Sequence, residues 1–266
     1  MKIKVSCSLF QGIMLGLLPY TAFAQLQHPS LNAPPVPIGS DAAREPLAPA
    51  GRAAPAEHMV VERTVPERAQ QILDFWFGPL SGPDSYPTDK VSIWLANSPD
   101  IDRQIREEFA FDVQNAINGD LNSWRDTPKG RLALILLLDD FSRIIYRNTP
   151  QAFASDAMAK GLVLEGIQRG DDKKLYPIER AFFYLPLEHS EDPKLQALSV
   201  NVYKQLFEQA PDKIKSQMQQ FYQYALFNQQ VISRFGRFPH RNAILGRTST
   251  PEEIIYLNQR GSFTAF

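Results

Sequence analysis

The run LALILLL at 132–138 is apolar at every position. Thr127-Pro128 precedes it, a residue type that caps helices followed by a proline suited to the first helical turn. A helix with no polar face belongs in the middle of a fold, covered on all sides by other elements. The run leads directly into Asp139, Arg143 and Arg147, spaced four apart and therefore on one face of the same predicted helix. Charges that emerge from such a helix must be paired or must face a cavity.

Outward from this stretch the same punctuation recurs. After Pro66, ERAQQILDFWFG puts Ala69, Ile72, Leu73 and Trp76 on one helical face. A Pro/Gly loop over 78–87 follows. Ser98 is placed to cap a second helix, whose stripe of Ile101, Ile105, Phe109 and Val113 ends at Gly119. Downstream, Thr149-Pro150 opens a helix ending near Gly170, Pro177 opens another through IERAFFYL, and Asp192-Pro193 opens a sixth. A long seventh helix runs from Pro211 to Phe235 and stops at Gly236, and Thr250-Pro251-Glu252-Glu253 is a capping box on a short last helix. No stretch alternates with period two. The expected fold is all-α, antiparallel helical hairpins stacked on one another, about seven to eight helices in all.

The first residues have another character. Lys2 and Lys4 precede an apolar run from Leu9 to Leu18 that is too short to span a membrane, and Ala22-Phe23-Ala24 offers small residues where a signal peptidase reads. Residues 1–24 are expected to be a secretory signal, residues 25–59 a Pro/Ala-rich disordered linker, and 60–266 one helical domain. Cys7, the only cysteine, lies within that signal, so the exported chain has no thiol for disulfides, thiolate chemistry or zinc. Without Lys2 and Lys4, 26 of the 28 basic residues remain against 29 acidic ones. That balance excludes a general nucleic-acid binder, and no membrane span is expected after cleavage. The expected location is the periplasm or the exterior.

Two further segments concentrate polar chemistry. In Glu188-His189-Ser190-Glu191-Asp192, adjacent Glu188 and His189 cannot point the same way from a regular helix, which argues against chelation. Asp192 is a helix cap. In RFGRFPHRN (234–242), Gly236 ends a helix and Pro239 holds Phe238 extended, so Arg237, His240 and Arg241 leave an irregular segment from which side chains can converge. A planar guanidinium suits carboxylate or phosphate, and imidazole exchanges protons near neutral pH. A purely structural alternative has these arginines tying helices together through Glu188, Glu191 and Asp139. Trp76 and Trp94 read as core. The chain lacks a glycine-rich phosphate loop, a nucleophile elbow and an HExxH motif, and neither a metal centre nor a cofactor is expected.

The segments RLALILLLDDFSRIIYRNTPQAF (131–153), FYLPLEHSED (183–192) and RFGRFPHRN (234–242), with LDFWFG (73–78) and STPEE (249–253), resemble a bacterial family known as domain of unknown function 924. The resemblance covers about 70–263 and implies a fold related to tetratricopeptide-repeat arrays. It implies no reaction. Where that family usually reads Asp-Gln-Phe-Pro-Arg-Asn, this chain has Asp139-Asp140-Phe141-Ser142-Arg143-Ile144.

These readings converge on a cleft lined by Asp139, Arg143, Arg147, Glu188, His189, Arg237, His240 and Arg241 that takes a small anionic molecule. For catalysis, His240 or His189 is the general acid/base, Glu188 orients it, and the arginines hold a carboxylate or phosphate. Such a site fits cofactor-independent hydrolase or lyase chemistry. The rival expectation is a periplasmic helical-repeat module binding a peptide or protein partner on a concave surface, with the polar segments structural.

N-terminal sequencing of the exported protein is expected to start at or near Gln25. Recovery of intact Met1 from the cytoplasm alone would remove the signal assignment.

Overall fold

Thr127 is extended (φ −119°, ψ 148°) and its hydroxyl accepts a hydrogen bond from Gly130 N at 3.1 Å, so the central helix begins where the Thr-Pro pair places it. The computed structural model describes residues 64–95 and 98–259, and the expected leader and linker lie outside the described residues. Among the described residues every regular element is helical. In chain order they are α1 (Glu67–Phe77), α2 (Val91–Leu95), α3 (Pro99–Asn118), α4 (Pro128–Leu136), a π turn (Leu137–Phe141), α5 (Ser142–Ile145), α6 (Asp156–Arg169), α7 (Pro177–Phe183), α8 (Leu185–Glu188), α9 (Pro193–Gln209), α10 (Lys215–Phe235) and α11 (Pro251–Gln259), with short 3-10 turns between.

Helix α4 is covered on all sides, by α1, α3, α6 and α7 directly or through its continuation, and every residue from Leu132 to Leu138 is buried. The α1 face of Ala69, Ile72, Leu73 and Trp76 is buried as its period requires, and so are Ile105, Phe109 and Val113 of α3. Trp76, Phe109, Phe141 and Phe182 form a tilted and edge-on aromatic cluster, with centroids of 5.0–5.7 Å between touching pairs. Trp94 belongs to the same core and donates its indole N–H to Trp76 O at 3.0 Å. Helices α9 and α10, joined by the short connection 210–214, pack along each other as a hairpin.

Most predicted caps are present. Asp192 accepts from Lys194 N at 2.8 Å, and Gly119, Gly170 and Gly236 end their helices in the left-handed region. Thr250 and Glu253 exchange reciprocal bonds: Thr250 N donates to Glu253 Oε2 at 2.7 Å, and Glu253 N to Thr250 Oγ1 at 3.2 Å. Ser98 differs. It sits extended ahead of α3, but its side chain makes no cap bond.

The larger difference concerns the central helix, which does not run unbroken through Asp139 to Arg147. At Leu137–Phe141 it widens into a π turn, resumes as α5, and ends at Ile145. Two hydroxyls occupy carbonyls at the disturbance: Ser142 donates to Leu137 O at 2.9 Å and Ser155 to Leu138 O at 2.6 Å. The segment opened by Thr149-Pro150 starts as a 3-10 turn (Pro150–Phe153), and its α-helix begins only at Asp156.

Arg131, on α4, is fully buried and holds the surrounding layer to it. Its guanidinium donates to Arg125 O (2.9 Å), Leu162 O (3.0 Å), Glu165 (3.1 Å) and Asp171 (3.2 Å). Gly166 lies against this group: an added Cβ would stand 2.6 Å from Phe183 Cζ and 2.7 Å from Arg131 Cδ. Arg131→Met is expected to lower the unfolding free energy by about 3 kcal/mol, because it leaves buried acceptors without their donor. Thr127→Ala, which removes only a cap, should cost about 1 kcal/mol. Urea denaturation of the two variants measures both, and equal losses would contradict the ranking.

Candidate functional site

The π turn and the start of α5 place Asp139 and Arg143 four residues apart and both buried. Their ion pair is 2.8 Å long. The other oxygen of Asp139 meets His189 Nδ1 at 2.7 Å, from the residue that ends α8. Arg143 also donates to Asp156, the first residue of α6, at 2.9 Å. Asp156 reaches a second guanidinium, that of Arg241, at 3.6 Å. Four separate segments therefore contribute to one ionic cluster.

Burial would raise the Asp139 carboxyl, but Arg143 and His189 outweigh it and hold Asp139 well below the usual carboxylate range. Burial lowers His189, and the charge of Arg143 adds to that against the pull of Asp139. The imidazole is then neutral near pH 7. An ionised carboxylate only accepts, so Nδ1 carries the proton and Nε2 keeps its lone pair. The His189 side chain is 14% exposed, so the ring is not sealed in.

Arg241 is held differently from Arg143, the other arginine of the cluster. It is 4% exposed, and its guanidinium lies over the rings of Phe238 (4.6 Å) and Phe153 (4.8 Å). It makes no side-chain hydrogen bond among the described residues, only the 3.6 Å ion pair with Asp156. Burial and the neighbouring Arg143 push it down to about 10, which leaves it charged at neutral pH. Arg143 shares the Phe153 ring, at 5.1 Å.

Glu188 points the other way from His189, as their adjacency requires. It is buried, and its Oε1 accepts from Asn228 of α10 at 2.8 Å. Its Oε2 has no hydrogen-bond partner among the described residues. Burial raises it, and with the nearby charge of Asp139 it is pushed up to about 8. The orientation of His189 thus falls to Asp139 rather than to Glu188. Asp140 is also raised, by burial and then by Asp139.

The structure brings together Asp139, Arg143, His189 and Arg241, with Glu188 beside them. It holds Arg147 and Arg237 elsewhere. Arg147 lies past the end of α5 in a bidentate pair with Asp102 of α3, at 2.9 and 3.0 Å. Arg237 closes on Glu253 of α11 at 2.6 and 2.8 Å, and this pairing draws that carboxyl down to about 2. His240 is partly buried with its ring 5.5 Å from that of Phe238. The segment that carries Arg241 is fixed by Glu191, which accepts from Phe238 N at 2.8 Å and from Arg247 at 2.7 and 3.0 Å. Asp156 and Asn228 were not found from sequence. The only local hint of Asp156 is its place at a helix start after Ser155, and Asn228 sits mid-helix with no signal at all.

The family model described as a bacterial protein of unknown function (DUF924) matches residues 72–261. A solved structure of a protein of unknown function from Agrobacterium tumefaciens is similar at 33% identity and a TM-score of 0.61, over 72% of this chain and 97% of that one. No curated protein matches. The matched span contains every residue of the ionic cluster, and the chain belongs to the DUF924 family of bacterial proteins.

Proposed function

We propose that this is an exported, cofactor-independent hydrolase or lyase acting on a small carboxylate- or phosphate-bearing molecule in the periplasm or outside the cell. Arg241 is the observation that carries the reading: a buried guanidinium, stacked on two rings, whose fork is not spent on the protein. Burying a cation without hydrogen bonds is costly unless a partner anion supplies them. His189 stands in the same cluster with its Nδ1 fixed by Asp139, which leaves Nε2 as a general base. Glu188, raised toward neutrality and with one oxygen unbonded, is the complementary proton donor. The downward displacement of His189 and the upward displacement of Glu188 keep one as a neutral base and the other as a protonated acid, the pattern that separates the two roles in hydrolytic sites. The short apolar run and Ala22-Phe23-Ala24 support export.

Titration with inorganic phosphate and with malonate tests the anion site directly. Arg241→Met is expected to weaken binding about tenfold or more, and unchanged affinity would discard the assignment. Nitrogen-15 NMR of the imidazole should find Nδ1 protonated and Nε2 bare at neutral pH, a pattern that Asp139→Asn should disturb. On a panel of phosphoesters and carboxylic esters, His189→Gln should lose about 10²–10⁴-fold in turnover of whichever substrate reacts while retaining phosphate binding.

Glu188 gives a pH signature. Its folded value of about 8 lies above the ordinary 4.5, so the unfolded chain ionises first. Stability is full below the unfolded value and falls as pH rises toward about 8, by up to about 1.4 kcal/mol per unit. Glu188→Gln keeps the Asn228 bond and is expected to flatten this slope in chemical denaturation across pH 5–8. An unaltered slope would show that Glu188 is ionised in the folded protein.

A further inference from the structure

A second cleft has lining residues distinct from those of the ionic cluster. A cleft of about 310 Å³ opens between α6 and the 3-10 turn Asn122–Asp126, and none of the cluster residues lines it. That volume is at the small end of ligand pockets. Its floor is apolar, formed by Leu134, Leu138 and Leu162. Met158 on its rim is 39% exposed.

Two observations point to an occupant. Gly161 lies in the interior of α6, where glycine destabilises a helix relative to alanine. Gly166 in the same helix has a packing reason, since Phe183 and Arg131 crowd it. Gly161 has none: a Cβ built there meets nothing within 4 Å. Gly161, an exposed residue of the cleft lining, is therefore small although the protein does not press on it. The second observation is charge. Arg125 on the rim is exposed; its guanidinium makes no hydrogen bond or ion pair among the described residues, and its charge acts on Glu165 only at longer range. Glu165, the opposing charge at the cleft, is already taken by Arg131 at 3.1 Å and Arg169 at 3.9 Å.

We propose that this cleft binds a small amphipathic carboxylate, its apolar body over Leu134, Leu138 and Met158 and its anionic end on Arg125. The soft Met158 side chain adapts to the apolar part, while Arg125 supplies a charge-assisted contact at the mouth.

The test uses the full chain, with Met158 followed by its ¹³C-labelled ε-methyl resonance and sodium octanoate as the probe. Octanoate is expected to shift this resonance saturably, in the millimolar range, and octanol to do so about tenfold more weakly. Gly161→Ala should fold, because the added methyl has free space in the protein, and should weaken the octanoate shift. Gly161→Leu should fill the cleft and abolish the shift while the rest of the spectrum stays native. Arg125→Gln, at an exposed position, should bring octanoate down to the affinity of octanol. An unmoved Met158 resonance, or full binding by the folded Gly161→Leu variant, would overturn the proposal. Equal affinity for octanoate and octanol in the native chain would also overturn it, since the site would then be apolar only.

Discussion

A helix surrounded by other helices cannot hand a charge to water, and this constraint organises the structure. Apart from Asp140, each ionic group on the central stretch from Pro128 to Ile145 is answered by a group from another element. Arg131 takes Asp171 and Glu165, and Arg143 takes Asp156 from the start of α6. Asp139 takes His189 from the end of α8. These bonds run between segments distant in sequence, so they fix how the helices stand around the central one as well as neutralising it. Buried ion pairs are poor sources of net stability, since desolvation offsets most of their attraction. Removing one partner alone is far worse than having neither, which makes the set interdependent.

Against this background Arg241 and Glu188 stand out for what they do not share. Arg131 spends its donors on four protein acceptors, whereas Arg241 rests on aromatic faces and meets one carboxylate at long range. Aromatic stacking holds the planar guanidinium in place without using its N–H groups. Glu188 is likewise fixed through one oxygen only. Both groups combine rigid placement with unused hydrogen-bonding capacity, the combination a preorganised site requires.

Much of the helical plan was legible because it is written locally. Thr127, Asp192 and the Thr250–Glu253 box cap their helices through bonds spanning two or three residues, and the terminating glycines act through their own φ. The π turn was not legible: the apolar run reads the same whether each turn holds an α or a π spacing, and the hydroxyl of Ser155 that supports it comes from another element. The site shows the same division. The four-residue spacing put Asp139 and Arg143 on one face, as a pair or facing a cavity, and they pair; the irregularity from Gly236 to Pro239 predicted that Arg241 could leave a helical face. The partners of Arg147 and Arg237 are set by where α3 and α11 pass, which no local pattern encodes. Asp156 was missed for the same reason.

The π turn also determines what kind of sequence change this region can absorb. Such a turn closes its hydrogen bonds one residue later than an α turn. An α-helix advances about 100° per residue, so a chain continuing regularly from Leu136 would carry Arg143 to a different side of the axis. The leucine-rich half and the ionic half are thus aimed independently, with the spacing between them acting as a fixed angular offset. Side chains within Leu137–Phe141 other than Asp139, which the ionic cluster needs, can be exchanged without altering that offset, but a residue added or removed there changes it. The stretch is therefore constrained first in its length, and insertions or deletions in it weigh more than substitutions of similar size.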